Sequence, residues 1–120
     1  MSENLVLEKS YQFALRIVRL YKFLTEEKRE YILSKQLLSA GTYIGAYVKS
    51  AQEAESKAAF THEMQLALQY VSRTDYWLRL LHEGGFLEQK HFDAIDPDRE
   101  DLRRLIIAIV KTAKGIKQDG

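Results

Sequence analysis

The stretch Leu33-Ser34-Lys35-Gln36-Leu37-Leu38-Ser39-Ala40-Gly41-Thr42-Tyr43-Ile44-Gly45-Ala46-Tyr47-Val48 decides the fold. Leu33, Leu37, Ala40, Gly41, Ile44, Val48 and then Ala51 recur at the three-and-four spacing of one helical face. The stripe is large at its ends and small in the middle. Gly41 and Gly45 lie one turn apart, each costing about 1 kcal/mol of helix propensity relative to alanine. A helix that keeps both is expected to have a neighbouring backbone close against it, as in the packed interior of a bundle. This helix is expected to span about residues 27–53.

Three more segments follow the same pattern on either side. Helix one is expected over about residues 8–24, with Phe13, Ala14, Ile17, Val18, Tyr21 and Leu24 on its core face. Thr25-Glu26-Glu27 reads as a turn and a start signal, its acids suited to the positive end of the next helix. Ser56 is the expected N-cap of helix three, which runs to about Glu83 with Phe60, Met64, Ala67, Leu68, Val71, Leu78 and Leu81 inward. Gly84-Gly85 ends it. The last helix carries Leu102, Leu105, Ile106, Ile109, Ala113 and Ile116. Two readings of its start stand side by side. Asp96-Pro97 is either an N-cap and first helical position after a short helix, or a kink in one long helix from Glu88. Short connections between long helices make neighbours antiparallel. The expected fold is all-α, one up-down-up-down four-helix bundle over residues 1–120.

Composition agrees with that reading. Of 120 residues, 46% are hydrophobic and 29% charged, with one proline and six glycines, a balance that suits a packed core and long helices. The formal net charge of +1 makes no global demand for nucleic acid or an anionic membrane. There is no cysteine, which removes disulfides and thiolate chemistry. The start lacks the layout of a secretory signal, and the longest uncharged run, between Lys35 and Lys49, falls short of the roughly 20 apolar residues that span a bilayer. A soluble cytoplasmic protein without membrane contact is expected.

The helices carry more apolar surface than one bundle needs. Ala59, Leu66, Tyr70 and Trp77 form a second stripe on helix three, about 110° from the first at 100° per residue. Leu15 and Phe23 fall among Gln12, Arg16, Arg19 and Lys22 on the outer face of helix one. An aligned stripe with tryptophan and tyrosine suits an interface, so Leu15, Phe23, Leu66, Tyr70 and Trp77 are the expected contacts of a homo-oligomer. The last helix turns Arg99, Arg103, Lys111, Lys114 and Lys117 largely away from its core stripe. These are candidate phosphate contacts with RNA or DNA, diluted by Glu100 and Asp101.

A site for chemistry is harder to assemble. Di-metal bundles use two Glu-x-x-His motifs and two further glutamates. This chain has one such spacing, Glu88 to His91, and neither His62 nor His82 follows a glutamate by three residues. No phosphate-binding glycine loop is present. Asp75 interrupts the inner stripe of helix three and must be paired, solvated or protonated there. No catalytic, cofactor or metal residue is assigned, and the chain is expected not to be an enzyme. The competing reading is a metal-binding bundle enzyme or cofactor carrier using Asp75, His82 or His91.

Leu33 to Leu38, Gly41-Thr42, Ile44-Gly45-Ala46, Glu53-Ala54, Ser56-Lys57, Phe60, Tyr76-Trp77-Leu78 and Leu80-Leu81 together resemble the landmarks of one bacterial family. Phe13, Ile17-Val18 and Leu20-Tyr21-Lys22 fit it too. This is the family of 23S rRNA intervening sequence proteins, also called S23 ribosomal proteins. It is related to the accessory variability proteins of diversity-generating retroelements. The resemblance implies a four-helix bundle in a ring-like homopentamer, a link to RNA or DNA, and no established activity or catalytic residue. The chain departs from the pattern at Ser39, where an arginine is expected, at Tyr43, where a small residue is, and at Tyr47, where an asparagine is. The first change removes a positive charge from helix two.

Overall fold

The computed structural model describes residues 2–115 of the chain, with side chains described from Leu5 onward. Four helices account for most of them: α1 (Ser2–Glu26), α2 (Leu33–Gln52), α3 (Lys57–Glu83) and α4 (Gln89–Ala113). Each packs on its neighbour in sequence, and α4 returns against α1, an antiparallel up-down-up-down bundle. No helix among the described residues is long and apolar enough to cross a membrane.

One cluster of buried side chains joins all four helices, through Phe13, Ile17 and Leu24, Leu37, Ile44 and Val48, Met64, Val71 and Leu78, and Leu102 and Ile106. These are largely the inward stripes expected from spacing. Val18 is the exception on α1: it is 38% exposed, on the outer side of the helix. Val6, Leu87 and Ile95 complete the core instead, the first because α1 starts six residues earlier than expected.

The glycines in α2 do what their cost implied. A methyl group on Gly41 would lie 2.7 Å from the Ile17 side chain, and one on Gly45 would lie 3.3 Å from the Ser10 carbonyl oxygen of α1. Ser10 is itself fully buried, its hydroxyl donating to the Leu7 carbonyl at 3.1 Å. Small residues therefore let α1 and α2 approach backbone to backbone.

The start of α2 corrects the expected boundary. Thr25 remains inside α1, donating to the Tyr21 carbonyl at 3.0 Å, and does not open a new helix. The chain turns at Arg29, whose φ of 54° is left-handed, and α2 begins only at Leu33. Glu30 caps it. The Glu30 carboxylate accepts from the amides of Ile32 (3.1 Å), Leu33 (3.0 Å) and Ser34 (2.6 Å). The Ser34 hydroxyl in turn donates to the Glu30 carbonyl at 2.6 Å. Orphan amides of a first helical turn need such an acceptor. Burial pushes the Glu30 carboxyl up, but the amides of Leu33, Ser34 and Ile32 outweigh it and hold it below the ordinary carboxylate value.

At α3 the expected ends hold. Ser56 accepts from the Ala59 amide at 3.0 Å, and Gly85 takes a φ of 90° past the last turn. The Phe86 amide reaches the Leu81 carbonyl and the Gly85 amide the His82 carbonyl, closing a Schellman motif. In α4 the two readings resolve in favour of one helix running through Pro97. Asp96 does not cap anything there; its carboxylate accepts from Arg99 Nε at 2.8 Å. Ile95, Arg99, Leu102, Ile106 and Ile109 are buried at helical spacing on both sides of the proline, so packing carries the helix across the missing hydrogen bond. Arg16 of α1 braces the same region, pairing with Asp98 and donating to the Ala94 carbonyl at 2.9 Å.

Candidate functional site

The basic residues of α4 are divided by the fold. Arg99 is buried at 8% exposure and lies among three carboxylates: Asp96 at 2.8 Å, Glu100 at 3.6 Å and Asp75 of α3 at 3.7 Å. It therefore corrects the expectation of an outward phosphate contact and ties α3 to α4. The same contact answers what Asp75 needs inside its stripe. Arg103 is exposed but held by Glu100 through two hydrogen bonds of 2.8 and 2.7 Å, and Arg104 adds a third at 3.3 Å. The Arg103 hydrogen bond, with the charges of Arg103, Arg99 and Arg104, lowers the Glu100 carboxyl to about 2. Lys111 and Lys114 are exposed and form no ion pair among the described residues; Lys117 lies outside them.

The apolar candidates are also redistributed. Leu15, Phe23, Leu66, Tyr70 and Trp77 are all half-buried, not fully exposed. Phe23, Tyr70 and Trp77 pack against the core from its edge. Phe23 faces His91 of α4 with ring centroids 5.2 Å apart. Tyr70 sits under two tyrosines of α2, Tyr43 at 5.2 Å and Tyr47 at 5.4 Å, with the Arg73 guanidinium 4.7 Å from its ring. The second stripe of α3 is thus partly covered by α2, which widens the buried arc of that helix pair.

Other apolar side chains take the exposed positions. Tyr76 (59%), Tyr43 (46%) and Leu80 (38%) stand out on α2 and α3, Tyr31 (58%) and Ile32 (74%) on the connection between α1 and α2, and Tyr11 (62%) on α1 with Val18. Spacing offered some warning of these. Tyr43 is a bulky residue beside the inward stripe, and Tyr76 adjoins Trp77. Ile32 lies outside the inward stripe of α2, about 120° from its centre at 100° per residue.

The residues of the competing catalytic reading are engaged separately. Asp75 faces Arg99. His82 Nδ1 lies 2.8 Å from the Leu87 carbonyl and its Nε2 3.0 Å from Gln89 Oε1, while the ring stacks on Phe92 at 4.7 Å. Gln89 in turn donates to Asp93 at 2.8 Å. These contacts fasten the end of α3 to the start of α4. Among the described residues no group of three or more His, Asp or Glu side chains is arranged to hold a metal ion.

The sequence and fold have recognisable relatives. The model of the family described as 23S rRNA-intervening sequence protein matches residues 2–108. The crystal structure of a protein of unknown function from the S23 ribosomal protein family of Bacteroides thetaiotaomicron superposes with a TM-score of 0.91. It shares 40% sequence identity, over 92% of this chain and 99% of that one. No curated protein matches the chain. A family match over most of the bundle, with a similar structure along nearly its whole length, shows that the chain belongs to the 23S rRNA-intervening sequence protein family.

Proposed function

We propose that this protein is a non-enzymatic, cytoplasmic subunit of a homo-oligomeric ring that serves as a scaffold or accessory protein. One observation carries the reading: with the core closed, large apolar side chains remain exposed on more than one surface. Tyr11 and Val18 stand out on α1, Tyr43 on α2, Tyr76 and Leu80 on α3, and Tyr31 and Ile32 on the connection between α1 and α2. A symmetric dimer joins a patch to itself, whereas two unlike patches suit head-to-tail contacts, which close into rings when the rotation allows. The family resemblance sets five as the expected number of copies.

Light scattering or sedimentation equilibrium tests this directly. The expected mass is a multiple of the 14.0 kDa chain, five-fold in the case favoured here. Tyr76→Asp and Val18→Asp should each lower it, and both positions are exposed enough to leave the fold intact. A monomeric wild type at micromolar concentration overturns the reading.

The proposal also includes a contact with RNA or DNA, which the family resemblance implies. On α4 this would fall to Lys111 and Lys114, with the outer side of Arg103. Binding to structured RNA should weaken steeply with salt and drop further when these three become glutamine. Binding that ignores both salt and these substitutions would remove α4 from the proposal.

A further inference from the structure

Between α1 and α4 lies a trough of about 310 Å³, near the lower end of the roughly 300–1,000 Å³ usual for small-molecule clefts. Leu20, Phe23 and Ile95 give it apolar walls, and Arg16, Arg19 and His91 its polar ones; no carboxylate lines it. The charge of Arg16 is already balanced, since its guanidinium pairs with Asp98 and donates to the Ala94 carbonyl. That of Arg19 is not: the side chain is exposed and has no ion pair among the described residues. Phe23 is the centre of the arrangement. Lys28 Nζ lies 5.8 Å from the centroid of its ring, and the His91 ring 5.2 Å from it on the other helix.

Two further features point the same way. His91 Nδ1 is buried with no hydrogen-bond partner, an uncommon state for a polar atom and one that marks incomplete surroundings. His91 also belongs to the first turn of α4, which begins at Gln89, so the positive end of that helix adds to the field of Arg19 and Lys28. An apolar trough with an unbalanced cation, Arg19, in its lining selects a ligand with an anionic head and an apolar body.

We propose that this trough binds a small organic carboxylate with an aromatic or branched aliphatic body. The carboxylate lies toward Arg19, and the body packs on Phe23 and Leu20. The inference does not depend on the oligomer.

Titration of the full chain with benzoate, followed by NMR, tests it. Two controls accompany it: benzylamine, with a similar body and the opposite charge, and inorganic phosphate, an anion without the body. Benzoate should shift the Phe23 and His91 signals saturably, benzylamine should not, and phosphate should bind more weakly than benzoate. Arg19→Gln, at an exposed position, should weaken benzoate about tenfold, the equivalent of one charged hydrogen bond. Absence of saturable shifts overturns the proposal, as does benzylamine matching benzoate. Phosphate binding as tightly as benzoate, or unchanged affinity in Arg19→Gln, overturns it as well.

Discussion

Glu30 and Arg99 are charged residues that the fold takes out of water, and each spends its charge on a junction. Glu30 closes the turn before α2 by accepting from three backbone amides. Replacing it with alanine should cost about 1–2 kcal/mol, in the range of a lost helix cap, measured by urea denaturation. The sign with pH follows from the lowered folded-state carboxyl. Its stabilisation is fully present above the unfolded carboxylate value of about 4.3 and is lost as pH falls through the lower folded value. The gap in stability between wild type and Glu30→Gln should therefore shrink on acidification; a gap that grows instead contradicts the cap. Arg99 joins α3 to α4, and Arg99→Met would leave Asp75 and Asp96 without their cation. Because both carboxylates keep some solvent, the expected loss is about 2 kcal/mol, below the 3–5 kcal/mol of a fully buried broken pair.

At the scale of elements, the helices were legible wherever spacing and capping chemistry agreed. Ser56 and Gly84-Gly85 bracket α3 because a hydroxyl acceptor and a left-handed glycine act locally. The start of α2 was not legible, since a glutamate three residues before the helix caps it only when a left-handed Arg29 folds the chain back. Pro97 was undecided for a similar reason. A proline costs a helix interior about 3 kcal/mol, and only the burial of Ile95 and Leu102 on either side shows that packing exceeds this. Pro97→Ala should then raise the melting temperature, by restoring a donor to a helix that already exists. Gly41→Ala gains about 1 kcal/mol of propensity but drives a methyl into Ile17, an overpacking worth about 1–3 kcal/mol. It should be destabilising overall, whereas Gly45→Ala, against a carbonyl at 3.3 Å, should be the milder change. Denaturation midpoints of the two variants compare them directly.

For the whole molecule, the head-to-tail reading makes a prediction that a symmetric dimer does not share. Val18→Asp damages one of the two proposed surfaces and Tyr76→Asp the other. Each alone should fall toward monomer, yet an equal mixture should form heterodimers, because each pair retains one intact contact. Mass measurements on the mixture decide it; a mixture that stays monomeric contradicts unlike surfaces. Tyr70 and Trp77 are less informative positions, since they also pack on the core and their loss would mix folding with assembly. The same view explains the fate of the interface residues expected from spacing. Periodicity showed that α1 and α3 carry surplus apolar surface, but neighbouring helices claimed part of it, α2 by laying Tyr43 and Tyr47 over Tyr70.

The sequence by itself determined the helices, their order, most of the inward-facing residues and the family, because these follow from local hydrogen bonding and from a repeat of 3.6 residues that a chain writes along its own length. Tertiary structure alone decided that Arg99 turns inward to Asp75, that Phe23 meets His91 and Lys28, and that α4 continues through Pro97. Those outcomes depend on distances between helices, and a one-dimensional pattern carries the direction a side chain faces but not what stands opposite it.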